Sequence, residues 1–521
     1  MLSLSFGKYR NRDINLVPIG YLEWLHREGK NLPQDVIRMI SSRLSLGRGR
    51  DYSMEHNGST AEIEIGHMAK IKHCPYELRQ LIYKNFSREN PKWFENEKHG
   101  RWNGRTPKTL HFWEESEDGA ILFPRGDILG FINQAEKSGI NVSVTSEFLT
   151  FLKSKLKIEF RGTLKPFQAR AVDVMAQHQT GVLQAPTGAG KTVMALALVS
   201  RIGQPFCVIV HTVELLQQWR DKIINFSGIP ADDIGILGGG KKTIGSIATV
   251  AMAQTMSRTI LAHQGKWGVV IVDEAHHTPA TTFTHILKNV DAKFVFGLTA
   301  TPYRRDGLDD VIRYFVGPVR HSIDPETLIA SRDIVRPVVI RRDTDFWSVI
   351  DGSNNYSALM KELTEDNERN NDIAADVIRE ASGGRLCLVL TDRKAHCHKL
   401  ADIITGAGCN TAILTGAVGG KKRIEIISDL TDQKIRVLVA TGQLIGEGFD
   451  LPKISDVFLA TPIRFSGRLL QFIGRAMRPA PGKITCHIWD YCDNQIPILK
   501  ASFHARQREV YDNFEPIYPN F

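Results

Sequence analysis

The chain has 521 residues, of which 42% are hydrophobic, 8% aromatic and 24% charged. These proportions are typical of globular proteins, and they exclude a fibrous, collagen-like or wholly disordered chain. Lysine and arginine number 66 against 57 acidic residues, which gives a formal net charge of +9. This balance indicates a polyanionic partner only weakly, because many basic proteins bind no nucleic acid.

The positive charge is concentrated near the N-terminus. Residues 1–50 carry +5 and residues 70–108 carry +6, so the remaining residues sum to −2. We therefore expect the N-terminal part to supply much of any salt-sensitive affinity for nucleic acid. The seven cysteines are scattered without a C-x-x-C pair, and no apolar run approaches a membrane span. These features predict a cytoplasmic protein without a membrane segment.

The secondary-structure pattern changes at about residue 150. Up to that point the sequence is irregular, whereas from about residue 160 short apolar runs alternate with helical patterns. Continuous apolar runs are typical of parallel strands that are buried on both faces. The alternation pauses between residues 306 and 384, which predicts a passage between two α/β domains. Strands are predicted at residues 180–184, 206–210, 269–273, 294–298, 386–390, 437–440 and 457–460.

A glycine-rich loop, residues 185–192, follows the first of these strands and precedes a helix-compatible segment. Glycines let backbone amides curl around phosphate oxygens, a lysine can reach the β and γ phosphates, and a threonine can ligate Mg²⁺. The strict motif begins with glycine where this chain has Ala185, so an ordinary glycine-rich turn stays an alternative. The predicted nucleotide contacts here are Pro186, Thr187, Gly188, Ala189, Gly190, Lys191 and Thr192.

Two acidic residues, Asp273 and Glu274, end the apolar run at 269–273. Hydrolysis of a nucleoside triphosphate needs one carboxylate at the metal and another group to orient the attacking water. We assign Asp273, together with Thr192, to Mg²⁺ and Glu274 to the water. Taken alone, the pair could equally be an acidic end of a strand, but its place downstream of the loop suits the same sheet.

Several further segments, in order along the chain, resemble the motifs of superfamily 2 helicases. They cover residues 164–168, 298–302, 441–442, 446–450 and 471–478. The Asp-Glu-Ala-His form and the last segment are more similar to the XPB and phage UvsW-like branch than to DEAD-box proteins. That branch carries an Arg-Glu-Asp triplet. The most similar segment of this chain is Arg304-Arg305-Asp306, in which arginine stands in place of the glutamate.

The resemblance implies roles for residues outside the loop. Gln168 would contact adenine, Gly448 and Asp450 would contact the nucleotide, and Gln471 would belong to the catalytic set. Arg475 and Arg478 would act as arginine fingers, since two guanidinium groups one helical turn apart can bind a phosphate held on a facing domain. Without the preceding glutamine and glycine, these arginines would be read as a basic surface of a helix.

Residues 60–150 resemble the small DNA-binding domain that opens UvsW-type branch-migration helicases. Basic and aromatic residues alternate there, as nucleic-acid surfaces require, although Trp93 and Trp102 could instead form a small core. The predicted DNA contacts are Arg101, Trp102 and Arg105 here, and His211, Thr212, Thr249, Gln254, Thr391 and Thr441 in the later motifs.

The sequence therefore predicts an α/β protein with two tandem RecA-like parallel-sheet domains after a small α+β DNA-binding region. The expected segments are residues 1–55, 56–150, 151–325 and 326–521. We predict an ATP- and Mg²⁺-dependent DNA helicase that remodels branched or double-stranded DNA, such as forks and Holliday junctions. Phage replication or recombination proteins would be its partners, in the host cytoplasm if the chain is phage-encoded.

Three alternatives stay open at this point. The chain could be the motor subunit of a restriction-type complex, which would need a partner nuclease. It could be a catalytically inactive nucleic-acid-binding scaffold, against which the intact Lys191, Asp273, Glu274 and Arg478 argue. RNA could replace DNA as substrate, because motors that follow a phosphate backbone read few base edges.

Overall fold

The computed structural model describes residues 60–104, 106–146, 155–274, 280–300, 308–352, 355–442, 453–463 and 466–514, together with Leu22, Leu25, Val36, Ile37 and Ile40. Three β-sheets and one two-stranded ribbon organise these residues. All seven cysteines are free thiols. None of the helices in the described ranges combines the length and the apolar character that a membrane span requires.

A small N-terminal domain is built on a mixed sheet with the strand order β5-β6-β2-β1-β7. Burial alternates along β1, because successive side chains of a strand point to opposite faces of the sheet. Strands β3 and β4 pair separately as an antiparallel ribbon. The elements are β1 (Ala61–Ile65), β2 (Ala69–Ile71), α1 (Tyr76–Asn85), β3 (Ser87–Glu89), α2 (Pro91–Lys98), β4 (Thr109–His111), β5 (Glu114–Glu115), β6 (Ile121–Phe123), α3 (Ile128–Lys137) and β7 (Val142–Ser146).

The second sheet has eight strands in the order β11-β10-β12-β9-β13-β14-β8-β15, and all neighbours are parallel except β10 and β11. Its elements are α4 (Pro166–Met175), β8 (Thr180–Gln184), α5 (Lys191–Ile202), β9 (Phe206–Val210), α6 (Val213–Ser227), β10 (Ile234–Gly238), β11 (Lys241–Lys242), β12 (Ala248–Met252), α7 (Ala253–Thr259), β13 (Val269–Asp273), α8 (Ala280–Asn289), β14 (Phe294–Thr299), α9 (Asp310–Phe315), β15 (Val319–Ser322) and α10 (Pro325–Ala330).

The third sheet has six parallel strands in the order β16-β21-β20-β17-β19-β18. Its elements are β16 (Arg336–Asp343), α11 (Tyr356–Glu365), α12 (Asn367–Ser382), β17 (Cys387–Thr391), α13 (Lys394–Gly406), β18 (Thr411–Leu414), α14 (Gly420–Thr431), β19 (Val437–Thr441), β20 (Asp456–Leu459), α15 (Ser466–Ala476), β21 (Thr485–Cys492) and α16 (Pro497–Glu509). The predicted α/β class with two parallel-sheet domains is confirmed.

Each predicted strand is present, and no end differs by more than one residue. The central strands of both sheets are buried along their whole length, as β9 and β17 show. The pattern missed β10, β12, β15, β16, β18 and β21. In β15, β16 and β18 the hydrophobic run is interrupted by exposed or polar positions. Only the neighbouring strands make such segments extended.

The small domain packs on the second sheet through a shared aromatic core. The ring of Phe86 lies 5.1 Å from that of Tyr314, and the ring of Phe112 lies 6.3 Å from that of Phe315. Arg88 forms an ion pair with Asp310 at 2.6 Å. The small domain and the second sheet therefore share one hydrophobic core.

Arg125 is a deeply buried charged residue at this interface. Its side chain is 5% exposed, and its guanidinium donates to the backbone carbonyl groups of Ala292 and Lys293, the latter at 3.3 Å. Burial lowers the pKa of Arg125 to about 10. Next to it, the Gly126 amide donates to the Tyr314 carbonyl at 2.7 Å. Polar groups that are buried in this way stabilise a fold only while each keeps its partner.

We expect replacement of Arg125 by methionine to destabilise the protein by about 2–4 kcal/mol, because the buried carbonyl oxygens lose their donors. Denaturant-induced unfolding, followed by tryptophan fluorescence, measures this loss. The control is Arg88→Gln, which breaks the more exposed pair with Asp310 and should cost less than about 1 kcal/mol. Equal unfolding midpoints for the two variants would contradict a joint core held at Arg125.

Candidate nucleotide-binding site

The loop between β8 and α5 has the backbone shape of a phosphate cradle. Gly188 and Gly190 adopt left-handed conformations, with φ of 93° and 83°, which residues with a side chain rarely adopt. A Cβ atom on Gly190 would lie 2.5 Å from the side-chain nitrogen Nε2 of Gln168. The backbone conformation therefore favours glycine at this position, and any larger residue would also displace the end of the Gln168 side chain.

Lys191 links this loop to the acidic end of β13. Its ammonium group donates to the Ala185 carbonyl at 3.1 Å and lies 3.4 Å from a carboxylate oxygen of Glu274. The side chains of both residues are mostly buried. A cation held over a phosphate loop and next to a carboxylate is placed to neutralise phosphate charge.

Asp273 is a buried carboxylate at the end of β13. Its side chain accepts a hydrogen bond from the indole nitrogen of Trp219 at 2.7 Å. Burial first, and the carboxylate of Glu274 second, raise the pKa of Asp273 to about 6. The nearby Lys191 and His211 act in the opposite direction. Such a shift marks a carboxylate that lacks enough positive charge, which a bound divalent cation would supply.

Glu274 has a strained backbone, with φ of 45° in a residue that is not glycine. Such conformations cost energy and are concentrated at functional sites. Here the turn brings the Glu274 carboxylate back toward Lys191 directly after Asp273. Two adjacent acids thereby occupy one side of the cradle instead of opposite faces of an extended strand.

Gln168 lies against the phosphate loop. Its side-chain oxygen accepts from the Lys165 amide at 3.0 Å, and its nitrogen donates to the Ala189 carbonyl at 2.9 Å. The first contact caps the N-terminus of α4, and the second ties that helix to the cradle. This packing places Gln168 beside the phosphate loop. Its contact with adenine stays a prediction.

Helix α15 of the third sheet reaches the same loop. A Cβ atom on Gly474 would lie 2.5 Å from the Cβ of Thr187, so the helix backbone packs directly on the cradle. Arg475 and Arg478 follow on the helix and just beyond its end, and both are half-buried. The amide of Val335 also donates to the Met477 carbonyl at 2.7 Å. The arginines are therefore held at the boundary between the two parallel sheets.

The remaining predicted nucleotide residues are not all described. Pro186 and Thr192 lie in the loop and at the start of α5, with partly exposed side chains. Gln471 lies on α15, but its side chain is outside the described residues. Gly448 and Asp450 are outside them as well, as are Arg304, Arg305 and Asp306.

The residues predicted to contact DNA differ in the exposure of their side chains. Arg101, Trp102 and Gln254 are exposed, while His211, Thr212 and Thr441 are half-buried. The Thr212 hydroxyl accepts from the Leu215 amide at 3.3 Å and so caps α6. Arg105 lies outside the described residues.

Two of the predicted DNA contacts, Thr249 and Thr391, have buried side chains, and their contact with DNA stays a prediction. Thr249 is fully buried on β12, and its hydroxyl accepts from the Trp267 indole at 3.2 Å. Thr391 is 1% exposed, with its hydroxyl 2.8 Å from Nδ1 of His396. Both residues lie on strands that are buried on both faces. An apolar run in the sequence does not show that a threonine within it is buried as well.

Trp219 is a site residue that the sequence analysis missed. It lies on α6, is 2% exposed, and orients the Asp273 carboxylate through its indole nitrogen. No short spacing connects residue 219 with residue 273, so only the packing of α6 against β13 brings them together. An isolated tryptophan in an amphipathic helix gives no functional signal of its own.

A glycine cradle, a lysine, paired acids and an arginine helix between two parallel sheets define a nucleotide-binding motor protein. The family described as type III restriction enzyme, res subunit, matches residues 156–304. The family described as helicase conserved C-terminal domain matches residues 369–480. Both matches support the resemblance to superfamily 2 helicases of the XPB-like type that the sequence indicated.

The relatives include phage, viral, archaeal and bacterial proteins that are named as helicases. Probable helicase D10 of Escherichia phage T5 is 27% identical over 316 residues, which cover 58% of this chain and 66% of that protein. Putative DNA 3'-5' helicase Rad25 of Haloarcula marismortui is 27% identical, with 62% of this chain and 52% of that protein covered. The chain thus spans between about half and two thirds of these curated relatives.

One relative is matched over most of its length. The putative helicase 161L of Invertebrate iridescent virus 6 is 25% identical, with 75% of this chain and 88% of that protein covered. Among solved structures, T4 UvsW matches with 18% identity and a TM-score of 0.40, covering 88% of this chain and 99% of that chain.

The pKa of Asp273 predicts how the nucleotide-free protein responds to pH. Since the folded-state pKa, about 6, exceeds the ordinary value of 3.8, the folded state binds a proton more tightly than the unfolded state. The stability that this carboxyl contributes is present at low pH and falls as the pH rises from 3.8 through 6.

We expect Asp273→Asn, measured in EDTA at about pH 8, to raise the free energy of unfolding by roughly 1–3 kcal/mol. Asparagine keeps an acceptor for the Trp219 indole and removes the buried charge. The gain should disappear below about pH 4. Asp221→Asn, on the exposed face of α6, is the control and should change little. No gain at the higher pH would contradict a buried, unfavourably charged Asp273.

Proposed function

We propose that the protein is an ATP-dependent DNA helicase or translocase that remodels branched DNA. The observation that carries this proposal is the packing of Gly474 on Thr187. It brings the arginine helix of one parallel sheet onto the phosphate loop of the other. ATP bound in the cradle would therefore contact both sheets, and its hydrolysis would change how they are held together.

Each residue of the site has a chemical task in this proposal. The loop amides and Lys191 hold the phosphates, and Gln168 packs at the adenine side. Glu274 orients the attacking water, and Arg475 with Arg478 neutralises the charge that develops on the transferred phosphoryl group. Thr192 and Asp273 would hold Mg²⁺. When bound, that ion neutralises phosphate charge.

The small domain supports DNA as the substrate through an anchored aromatic residue. Trp102 is 81% exposed, although its ring lies on the backbone of Gly104, where a Cβ would be 1.8 Å from the indole. Asn103 ties this loop to α2, since it accepts from Asn96 and donates to the Trp93 carbonyl, both at 3.0 Å. A large aromatic ring held in solvent on a fixed loop is suited to stacking on a base.

The surroundings of Trp102 are basic. Arg101 is exposed beside it, and Lys108 lies 5.2 Å from the ring of Trp93. The net charge of residues 70–108 is +6. Since the small domain shares its core with the second sheet, this surface would stay fixed to one motor domain while the other moves. Such an arrangement can separate or exchange strands at a branch.

A restriction-type motor is the second candidate function. The match of residues 156–304 to a family described as type III restriction enzyme, res subunit, favours it. That function requires a partner nuclease. A nuclease that copurifies with the chain and cleaves DNA only with ATP would support this candidate over branch migration.

The coupling between the two sheets predicts the effect of Gly474→Ala. The added methyl group cannot fit beside Thr187, so α15 and its arginines must move away from the cradle. A misplacement of about 1 Å can cost roughly 100-fold in rate. We therefore expect the kcat of DNA-stimulated ATP hydrolysis to fall at least about tenfold, with little change in the KM for ATP.

The matched control is Gly406→Ala, at the end of α13, where a Cβ would meet nothing within 4 Å. This variant should keep wild-type kcat. A wild-type kcat in Gly474→Ala would contradict the assignment of α15 to the nucleotide site.

Substrate preference tests the DNA-remodelling part of the proposal. ATP-dependent strand separation is measured on forked, four-way, blunt duplex and RNA substrates, with Lys191→Ala as the inactive control. We expect activity on forks and four-way junctions. Trp102→Ala should raise the KM for branched DNA by about tenfold or more, because one stacked base contributes roughly 1–3 kcal/mol.

Trp347→Ala, which removes another exposed tryptophan, 66% accessible in the second motor domain, serves as control and should leave this KM unchanged. Translocation along linear DNA without strand separation would contradict branch remodelling. Wild-type ATP hydrolysis by Lys191→Ala would contradict the ATPase site itself.

A further inference from the structure

An open cavity of about 390 Å³ lies in the third sheet's domain, at the edge where its strands begin. It is bounded by the starts of β17, β19, β20 and β21, through Leu386, Arg436, Ser455 and Thr485. The other walls are the turn after α12 and the loop 480–484, which follows the arginine helix. The predicted motif residues Thr391 and Thr441 lie at the opposite ends of these strands.

Four basic residues line the cavity, namely Arg385, Arg436, Lys453 and Lys483, and no acidic residue is among its lining residues. Arg385 pairs with the buried carboxylate of Asp456 and lies 3.7 Å from Glu380, and Asp456 also attracts Lys483. The wall of the cavity therefore carries an excess of positive charge.

Arg436 and Lys453 donate hydrogen bonds to neutral backbone groups. Arg436 donates to the Gly384 carbonyl at 2.5 Å, and Lys453 donates to the Thr431 carbonyl at 2.9 Å. Within the described residues neither of these side chains forms an ion pair. Burial lowers the pKa of Lys483 to about 8. Cys486 and Asp456 act in the opposite direction, and the charge of Arg385 acts in the same direction as burial. A bound anion would relieve both the excess charge and this repulsion.

We propose that this cavity binds the phosphate group of an anionic ligand, with Arg436, Lys453 and Lys483 as its cationic contacts. Guanidinium and ammonium groups are the side chains that bind phosphate best, and the volume falls within the range of small-ligand sites. The phosphate belongs either to a nucleic-acid backbone or to a small phosphate compound, and chemical protection of Lys453 by each kind of ligand separates these two sources.

Lys483 connects the cavity to the arginine helix. Its ammonium group donates to the carbonyl groups of Ala476 and Arg478, the latter at 3.0 Å. An anion next to Lys483 favours the charged form, and with it the two hydrogen bonds that fix the end of α15. Occupancy would thus steady Arg475 and Arg478. Only this consequence rests on the proposed ATPase, whereas binding itself does not.

The exposed Lys453 permits a direct test on the full-length protein without ATP. Its acetylation by an N-hydroxysuccinimide ester is followed by mass spectrometry, with and without a single-stranded oligonucleotide or inorganic pyrophosphate. We expect at least one probe to slow acetylation of Lys453 by about threefold or more, relative to the exposed Lys421 and Lys500 outside the cavity.

Protection by the oligonucleotide alone assigns a nucleic-acid phosphodiester, and protection by pyrophosphate alone assigns a small phosphate anion. In Arg436→Gln the protection should be lost, whereas Arg508→Gln, which makes the same charge change on exposed α16, should keep it. Equal acetylation of Lys453 with and without both probes, or undiminished protection in Arg436→Gln, overturns the site. Loss of helicase activity would leave this readout unaffected.

Discussion

The close approach of α15 to the phosphate loop is the contact on which the motor site depends. A helix backbone can reach a loop only where no side chain intervenes, and Gly474 provides that opening opposite Thr187. The loop is itself shaped by left-handed glycines, Gly188 and Gly190. The helix backbone at Gly474 therefore packs on the Thr187 side chain at the boundary between the sheets. Arg475 and Arg478 follow Gly474 in the sequence, so the packing of the helix backbone on the loop sets their positions.

The charges at this boundary are arranged at an energetic cost. Asp273 is buried next to another carboxylate, and its raised pKa measures the cost of that placement. Glu274 adds a strained backbone, and the Lys191 ammonium offsets only part of the negative charge. A site built in this way gains when a metal ion and phosphates complete it. The basic cavity behind α15 has the opposite imbalance, with an excess of positive charge around Lys483.

The small domain extends this design because its core is continuous with that of the second sheet. Phe86 and Tyr314 pack together, and Arg125 donates across the boundary to backbone carbonyl groups. A loosely tethered DNA-binding module would move independently of the motor. Here the loop that presents Trp102 is tied to α2 within a small domain that shares its hydrophobic core with the second sheet.

The sequence by itself determined the strands with continuous apolar runs, the glycine cradle, the paired acids and the arginine helix. Each of these is a local pattern whose spacing has a physical cause. Only the tertiary structure decided which side chains face the site: Thr249 and Thr391 turn inward, Trp219 reaches Asp273, and Lys483 holds the end of α15. These relations join residues that are distant in the chain or depend on strand orientation. They arise from packing between elements, which no local pattern of residues records.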